Sequence, residues 1–179
     1  MREHRMARYS NSQIALHWLT AVLMGLIIAL PYGRDFFGDL LGGTGGVFVL
    51  HKSLGLAVLA LTVLRLLVRA RRGAPQILPP DAVWQQRAAK AGHALLYLLL
   101  VLMPLSGLLF GKRPLELFWL IPLEPLPLSD TTRAAAKWFH VTAQWLLFAM
   151  ILGHALMALV HHYGKRDGVL AAMLPAARG

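Results

Sequence analysis

The sequence predicts an all-α integral membrane protein, a four-helix bundle with both termini on the cytoplasmic side. Three observations carry this expectation. The 179 residues are 57% hydrophobic, a larger apolar share than soluble domains carry. Four stretches, approximately 14–31, 47–68, 91–110 and 138–160, offer the roughly 20 mostly apolar residues that a hydrocarbon core requires. The 18 lysines and arginines, against 8 acidic residues, fall mostly in the connections, as the positive-inside rule demands of a membrane protein.

The first stretch follows Arg2, Arg5 and Arg8 and has the flanks of a signal peptide. It ends Leu30-Pro31-Tyr32-Gly33-Arg34, without a small-residue cleavage site, so it reads as a retained helix. The connection 32–46 closes on Gly42-Gly43-Thr44-Gly45-Gly46 and is expected to be a flexible external turn. After the second span come Gly73, Pro75, Pro79 and Pro80. Asp81 follows and is expected to cap a short amphipathic segment leading into the third span. In the connection 111–133, Pro114, Pro122, Pro125 and Pro127 exclude a continuous helix. Its Leu117, Phe118, Trp119, Leu120 and Ile121 suit the membrane interface, and it is expected to lie across the external face as a partial cover. A short helix is expected near 169–174. The whole chain, 1–179, reads as a single domain.

Charge orients the bundle. Arg2, Arg5, Arg8, Arg69, Arg71, Arg72, Arg87, Lys90, Lys165, Arg166 and Arg178 occupy the N-terminal tail, the second connection and the C-terminal tail. With four spans these three regions share one side, which should be cytoplasmic. The opposite side carries Arg34, Lys52, Lys112, Arg113, Arg133 and Lys137, diluted by Asp35, Asp39, Glu116, Glu124 and Asp130. This distribution explains the net charge of +10 better than nucleic-acid binding does. Cysteine is absent, which removes disulfides, thiol catalysis, iron–sulfur clusters and covalent haem attachment.

Histidine carries the chemistry. His17 lies near the start of the first span and His51 near the start of the second. His140 and His154 share the fourth, fourteen residues apart. That spacing is about 21 Å along a helix, with the two rings about 40° apart in direction. With alternating spans, depth matches His17 to His154 on the cytoplasmic side and His51 to His140 on the external side. Each pair then joins two different helices at one level. Two neutral imidazoles can bind one haem iron axially, leaving a six-coordinate centre suited to electron transfer. The pattern therefore points to two non-covalent b-type haems held by His17, His51, His140 and His154. A proton relay or polar contacts between helices are the competing uses of intramembrane histidine. A metal without haem fits less well, because each level offers two ligands and no nearby carboxylate.

Other residues fall on the same stripes. Arg65 follows His51 by fourteen residues, at the level of the cytoplasmic pair, where a guanidinium can hold a haem propionate. His161 follows His154 by seven, about 10 Å further toward the cytoplasm, within reach of a propionate or a quinone head group; an interfacial histidine is the plainer alternative. His93 reads as interfacial, and His4 and His162 take no assignment. Gly55, Gly107 and Gly153 are small enough for a flat macrocycle to approach a helix.

Ile14-Ala15-Leu16-His17-Trp18, His51-Lys52-Ser53-Leu54-Gly55, Trp138-Phe139-His140, Gly153-His154 and His161-His162-Tyr163, taken as an ordered set, resemble the bacterial cytochrome b561 family over nearly the whole chain. Within it, the chain is most similar to small stand-alone members that oxidise superoxide and pass the electrons to ubiquinone. The resemblance implies two b haems on the four histidines, a bacterial inner membrane, ubiquinone as electron acceptor and His161 at the quinone site. It implies no obligatory protein partner and leaves the oligomeric state open. Superoxide is a small anion, so external cations would raise its local concentration. Lys52, Lys112, Arg113, Arg133 and Lys137 are the candidates for that steering. Two other functions stay in view: an electron-transfer or anchor subunit of a hydrogenase or dehydrogenase, docked through 115–128, and a histidine-relay transporter, which would be colourless.

Overall fold

The computed structural model describes residues 8–175; Arg2, His4, Arg5 and Arg178 lie outside them. Four long apolar helices make the bundle: α1 (Asn11–Tyr32), α3 (Thr44–Arg72), α4 (Val83–Leu109) and α5 (Asp130–Leu159), with the short α2 (Arg34–Leu41) between the first two. A hairpin of β1 (Leu115–Leu117) and β2 (Ile121–Leu123) precedes α5. The bundle thus has a hairpin end, and a termini end that also holds the α3–α4 connection.

Each span begins before its apolar window or runs past it, because the flanking residues still favour helix. α1 starts in a capping box, with Ser10 and Gln13 satisfying each other's backbone N–H groups at 3.4 and 3.0 Å. Ser129 caps α5 by accepting from the Thr132 N–H at 3.2 Å. The expected cap at Asp81 does not form: Ala82 holds the N-cap position without a side-chain bond. No separate segment precedes the third span either, since 83–91 contains no glycine or proline and joins α4 as one helix.

The first connection is also more ordered than expected. Residues 34–41 carry Phe36, Phe37, Leu40 and Leu41 with Asp35 in the first turn, which suffices for α2. The glycines serve the sharp re-entry that follows. Gly42 closes α2 in the left-handed region at φ 76°. A Cβ on Gly46 would run into the Leu41 carbonyl.

The third connection crosses the hairpin end in paired form, with Leu115 opposite Leu123 and Leu117 opposite Ile121. Its tip holds Phe118 and Trp119 at φ 49° and 60°, a conformation that costs a non-glycine residue roughly 1–2 kcal/mol. The Phe118 N–H donates to Ser53 Oγ at 2.8 Å, pinning the tip to α3 two residues from His51. At the other end, α5 widens into a π-turn over Val160–Lys165, and a 3₁₀ turn follows at Ala171–Met173 within the expected 169–174. That tail folds back on α1: Trp18 Nε1 donates to the Met173 carbonyl at 2.7 Å, Tyr9 N to Ala172 O at 3.3 Å, and Arg8 to Leu174 O.

Met24, Val58, Leu99, Leu100, Met103 and Leu147 form the core. α1 packs on α3, α3 on α4 and α4 on α5, whereas α1 and α5 make no extensive contact. Only 6% of the most apolar window of α5 is buried within the chain, against 22–28% for the other spans. The bundle is therefore open along α5, and the exposed Trp145, Leu152 and Leu156 suit lipid rather than water.

Candidate functional site

At the hairpin end, the rings of His51 on α3 and His140 on α5 stand 6.3 Å apart, centroid to centroid, at an interplanar angle of 77°. Each is oriented by backbone. His51 Nδ1 donates to the Ile27 carbonyl at 2.9 Å. That carbonyl is free for a reason written in the sequence: Pro31, four residues later inside α1, has no N–H to give it. His140 Nδ1 lies 3.0 Å from the Met103 carbonyl and 3.0 Å from Ser106 Oγ. A carbonyl only accepts, so both rings carry their proton on Nδ1 and keep the Nε2 lone pair. Gly107 makes room for His140; a Cβ there would press on the ring edge at 3.3 Å. The pair lines an apolar cleft of about 730 Å³, its open mouth included, together with Lys52, Gly55, Met103 and Gly107.

At the termini end, the His17 and His154 rings stand 6.1 Å apart at 63°, joining α1 to α5. His93, from α4, is 5.5 Å from His154, so it belongs to this cluster rather than to the interface alone. Arg65 Nη2 lies 3.3 Å from His17 Nδ1, and its guanidinium sits 5.3 Å from the centre of the Tyr97 ring. Guanidinium only donates, so His17 Nδ1 accepts here and Nε2 carries the proton, the opposite tautomer to His51 and His140. Ligation through Nε2 requires Arg65 to leave this nitrogen, as it would on turning to a carboxylate.

Both spacings fit a shared iron. With a metal–imidazole bond of about 2.0–2.1 Å and a ring radius of about 1.1 Å, two axial imidazoles have centroids about 6.3 Å apart. Cβ atoms added at Gly55 or Gly153 would meet open space, leaving both helices approachable by a flat group. On α3, one turn before Arg65, Thr62 Oγ1 is fully buried with no partner among the described residues.

The five basic candidates separate. Lys52 lines the cleft. Lys112 is committed to Asp130 at 2.7 Å. Arg133 is spent on the carbonyls of Leu126, Leu128 and Gly111, which fixes the loop between hairpin and α5. Arg113 and Lys137 are exposed and form no ion pair among the described residues. His161 is buried, and its Nδ1 is bound by Asp167. The sequence reading missed Pro31, Ser106, His93, Tyr97 and Asp167. Of these, the proline leaves a trace in sequence, the carbonyl it orphans four residues earlier, but its place at the end of the apolar run masks it.

A model of the prokaryotic cytochrome b561 family matches residues 8–176. The chain belongs to that family. Similar proteins include cytochrome b561 homolog 1 of Escherichia coli strain K12, 31% identical over 177 residues, covering 95% of this chain and 98% of that one. Cytochrome b561 homolog 2 of the same strain is 31% identical over 172 residues, 93% of this chain and 91% of its own. The probable superoxide oxidase CybB of Yersinia pestis is 29% identical over 179 residues, 96% of this chain and 98% of its own. Membership makes this protein a multi-pass membrane cytochrome b561, and the family implies a b-type haem.

Proposed function

We propose that this cytochrome is a single di-haem domain spanning residues 1–179, which oxidises superoxide at the external face and passes the electrons to ubiquinone. It would lie in a bacterial inner membrane with both termini in the cytoplasm, the hairpin end outside. The observation that carries the reading is the pair of histidine couples, one at each end of α5, with spacings of 6.1 and 6.3 Å. His51 and His140 would hold one haem, and His17 and His154 the other. Each haem, when bound, would supply a one-electron couple, and two histidine ligands would leave its iron no open position for oxygen.

The balance is two superoxide anions, one quinone and two protons giving two dioxygen molecules and one quinol. The protein's residues have three tasks in it. Lys52, Arg113 and Lys137 raise the local concentration of the anion at the hairpin end; Lys112 and Arg133, already paired, contribute less to steering. Arg65 would leave His17 to hold a carboxylate of the bound haem. His161 meets the quinone head group at the termini end. Resemblance to the probable superoxide oxidase of Y. pestis supports this donor.

Purified protein tests the reading. The expected results are a b-type reduced-minus-oxidised spectrum, two haems per chain, and loss of superoxide that depends on added quinone and on no other protein. His140→Ala should lose one haem and keep the other. A colourless protein, or loss of all haem from every ligand variant, would sink the proposed pairing. A second reading, an anchor subunit for a hydrogenase or dehydrogenase, is favoured by the exposed Trp119, Leu120 and Ile121 on the hairpin. It predicts a coloured protein inert toward superoxide until its partner is supplied.

A further inference from the structure

The π-turn at the end of α5 does something a regular helix would not. Over Val160–Lys165 the chain is hydrogen-bonded with the wider spacing, and it reverses at Arg166, which sits in the left-handed region at φ 53°, ψ 37°. A non-glycine residue occupies that region at a cost, and π-turns recur at functional sites. The reversal brings Asp167 back over the preceding turn. Asp167 Oδ2 binds His161 Nδ1, Asp167 N donates to the His161 carbonyl at 3.4 Å, and Asp167 Oδ1 accepts from the Val169 N–H at 3.2 Å. The carboxylate is thus held by its own backbone surroundings and aimed at one ring nitrogen. The His161 side chain is 9% exposed and that of Asp167 22%, so the carboxylate is the half of the pair that meets water. His161 Nε2 has no hydrogen-bond partner among the described residues.

We infer that Asp167 is the positioning residue of a proton-delivery pair, in which its carboxylate holds Nδ1–H and steadies the charged ring while His161 Nε2–H protonates the reduced quinone. The inference rests on the quinone reading above and adds the residue that makes it work. A carboxylate on Nδ1 fixes the ring and steadies the imidazolium, the same task the aspartate performs in a serine–histidine–aspartate triad. The step balances. The quinone takes two electrons, one at a time, from the reduced cytochrome. Each proton leaves His161 Nε2 for a quinone oxygen, forming an O–H bond, and Nε2 takes its replacement from water before the next transfer, while Nδ1–H stays on Asp167 throughout. Quinone plus two electrons and two protons gives quinol.

The test follows quinone reduction alone. Haem-loaded protein is reduced chemically, freed of reductant and mixed with a short-chain ubiquinone, and its re-oxidation is followed in the visible spectrum. Asp167→Asn should slow maximal re-oxidation tenfold or more, since positioned proton donors contribute roughly 10²–10⁴-fold, with little change in the quinone concentration giving half-maximal rate. Its solvent deuterium isotope effect should rise above that of the parent protein. Asp167→Ala should be slow and should recover rate when formate is added to occupy the vacated carboxylate position. If Asp167→Asn does not assemble with haem, Asp167→Glu must show slowed re-oxidation in the same assay. Re-oxidation of Asp167→Asn within twofold of the parent overturns the inference and leaves the quinone reading intact. A slowed variant with neither isotope effect nor formate rescue also overturns it, and means that the pair only fastens the tail. Parent protein that quinone fails to re-oxidise overturns the quinone reading itself.

Discussion

At the scale of single residues, the informative chemistry lies in what orients the imidazoles. The four histidines and their matching by depth were legible in the sequence, because helical rise alone sets which positions share a level. Arg65 was legible the same way, as it sits fourteen residues along the same stripe as His51. Pro31 was not, because a proline near the end of an apolar run reads as a terminator, whereas here it frees the Ile27 carbonyl for His51. A hydrogen bond to Nδ1 makes an imidazole a more basic ligand and favours the oxidised metal. Pro31→Ala would give the Ile27 carbonyl a backbone N–H of its own and weaken the His51 bond. On the proposed ligation, the midpoint potential of the hairpin-end haem should rise and that of the other haem should not move. A bond of about 1 kcal/mol corresponds to about 40 mV for a one-electron couple. Potentiometric titration of the two haems checks this, and equal shifts in both would refute it. Asp167 was illegible for another reason: the π-turn breaks the 3.6-residue phase on which any stripe through His161 depends.

At the scale of elements, apolar length located all four spans, and the differences from the sequence reading concentrate in the connections. Hydropathy has no term for α2, whose eight residues mix two phenylalanines and two leucines with Arg34, Asp35 and Asp39, nor for a hairpin whose tip adopts positive φ without glycine. The glycine run between α2 and α3 is a set of unlike positions. Gly45→Ala meets no neighbour and should be neutral or stabilising by about 0.5–1 kcal/mol, the ordinary gain of alanine over glycine in a helix. Gly46→Ala must displace the Leu41 backbone and should destabilise by about 1–3 kcal/mol, within the range of overpacked sites. Thermal melts followed by loss of the haem spectrum should rank them Gly45→Ala above or level with the parent and Gly46→Ala clearly below. Equal melting temperatures would mean that the re-entry turn adjusts freely.

At the scale of the whole molecule, charge and openness decide how substrates arrive. The termini end holds Arg69, Arg71, Arg72, Arg87, Lys90, Lys165 and Arg166, while the hairpin end mixes both signs, and there Lys112 is neutralised by Asp130. Lys52 is the cation placed in the cleft itself. Lys52→Gln should lower the second-order rate with superoxide several-fold at low ionic strength. The difference from the parent should shrink as salt shortens the screening length from about 10 Å at 0.1 M to about 3 Å at 1 M. Stopped-flow rates across a salt series test this; a salt-independent loss would mean that Lys52 acts by contact and not by steering.

α5 contributes one ring to each couple, His140 to the first and His154 to the second. In the proposed cytochrome, the span between the two redox centres is thereby set by one unbroken rod, with its ligand positions about 21 Å apart along the axis. Electron tunnelling fades exponentially with distance, so it is sensitive to any sliding between the stations it links. Mounting one ring of each on a single helix lets that helix alone fix the separation, whatever α1 and α3 contribute to holding each station.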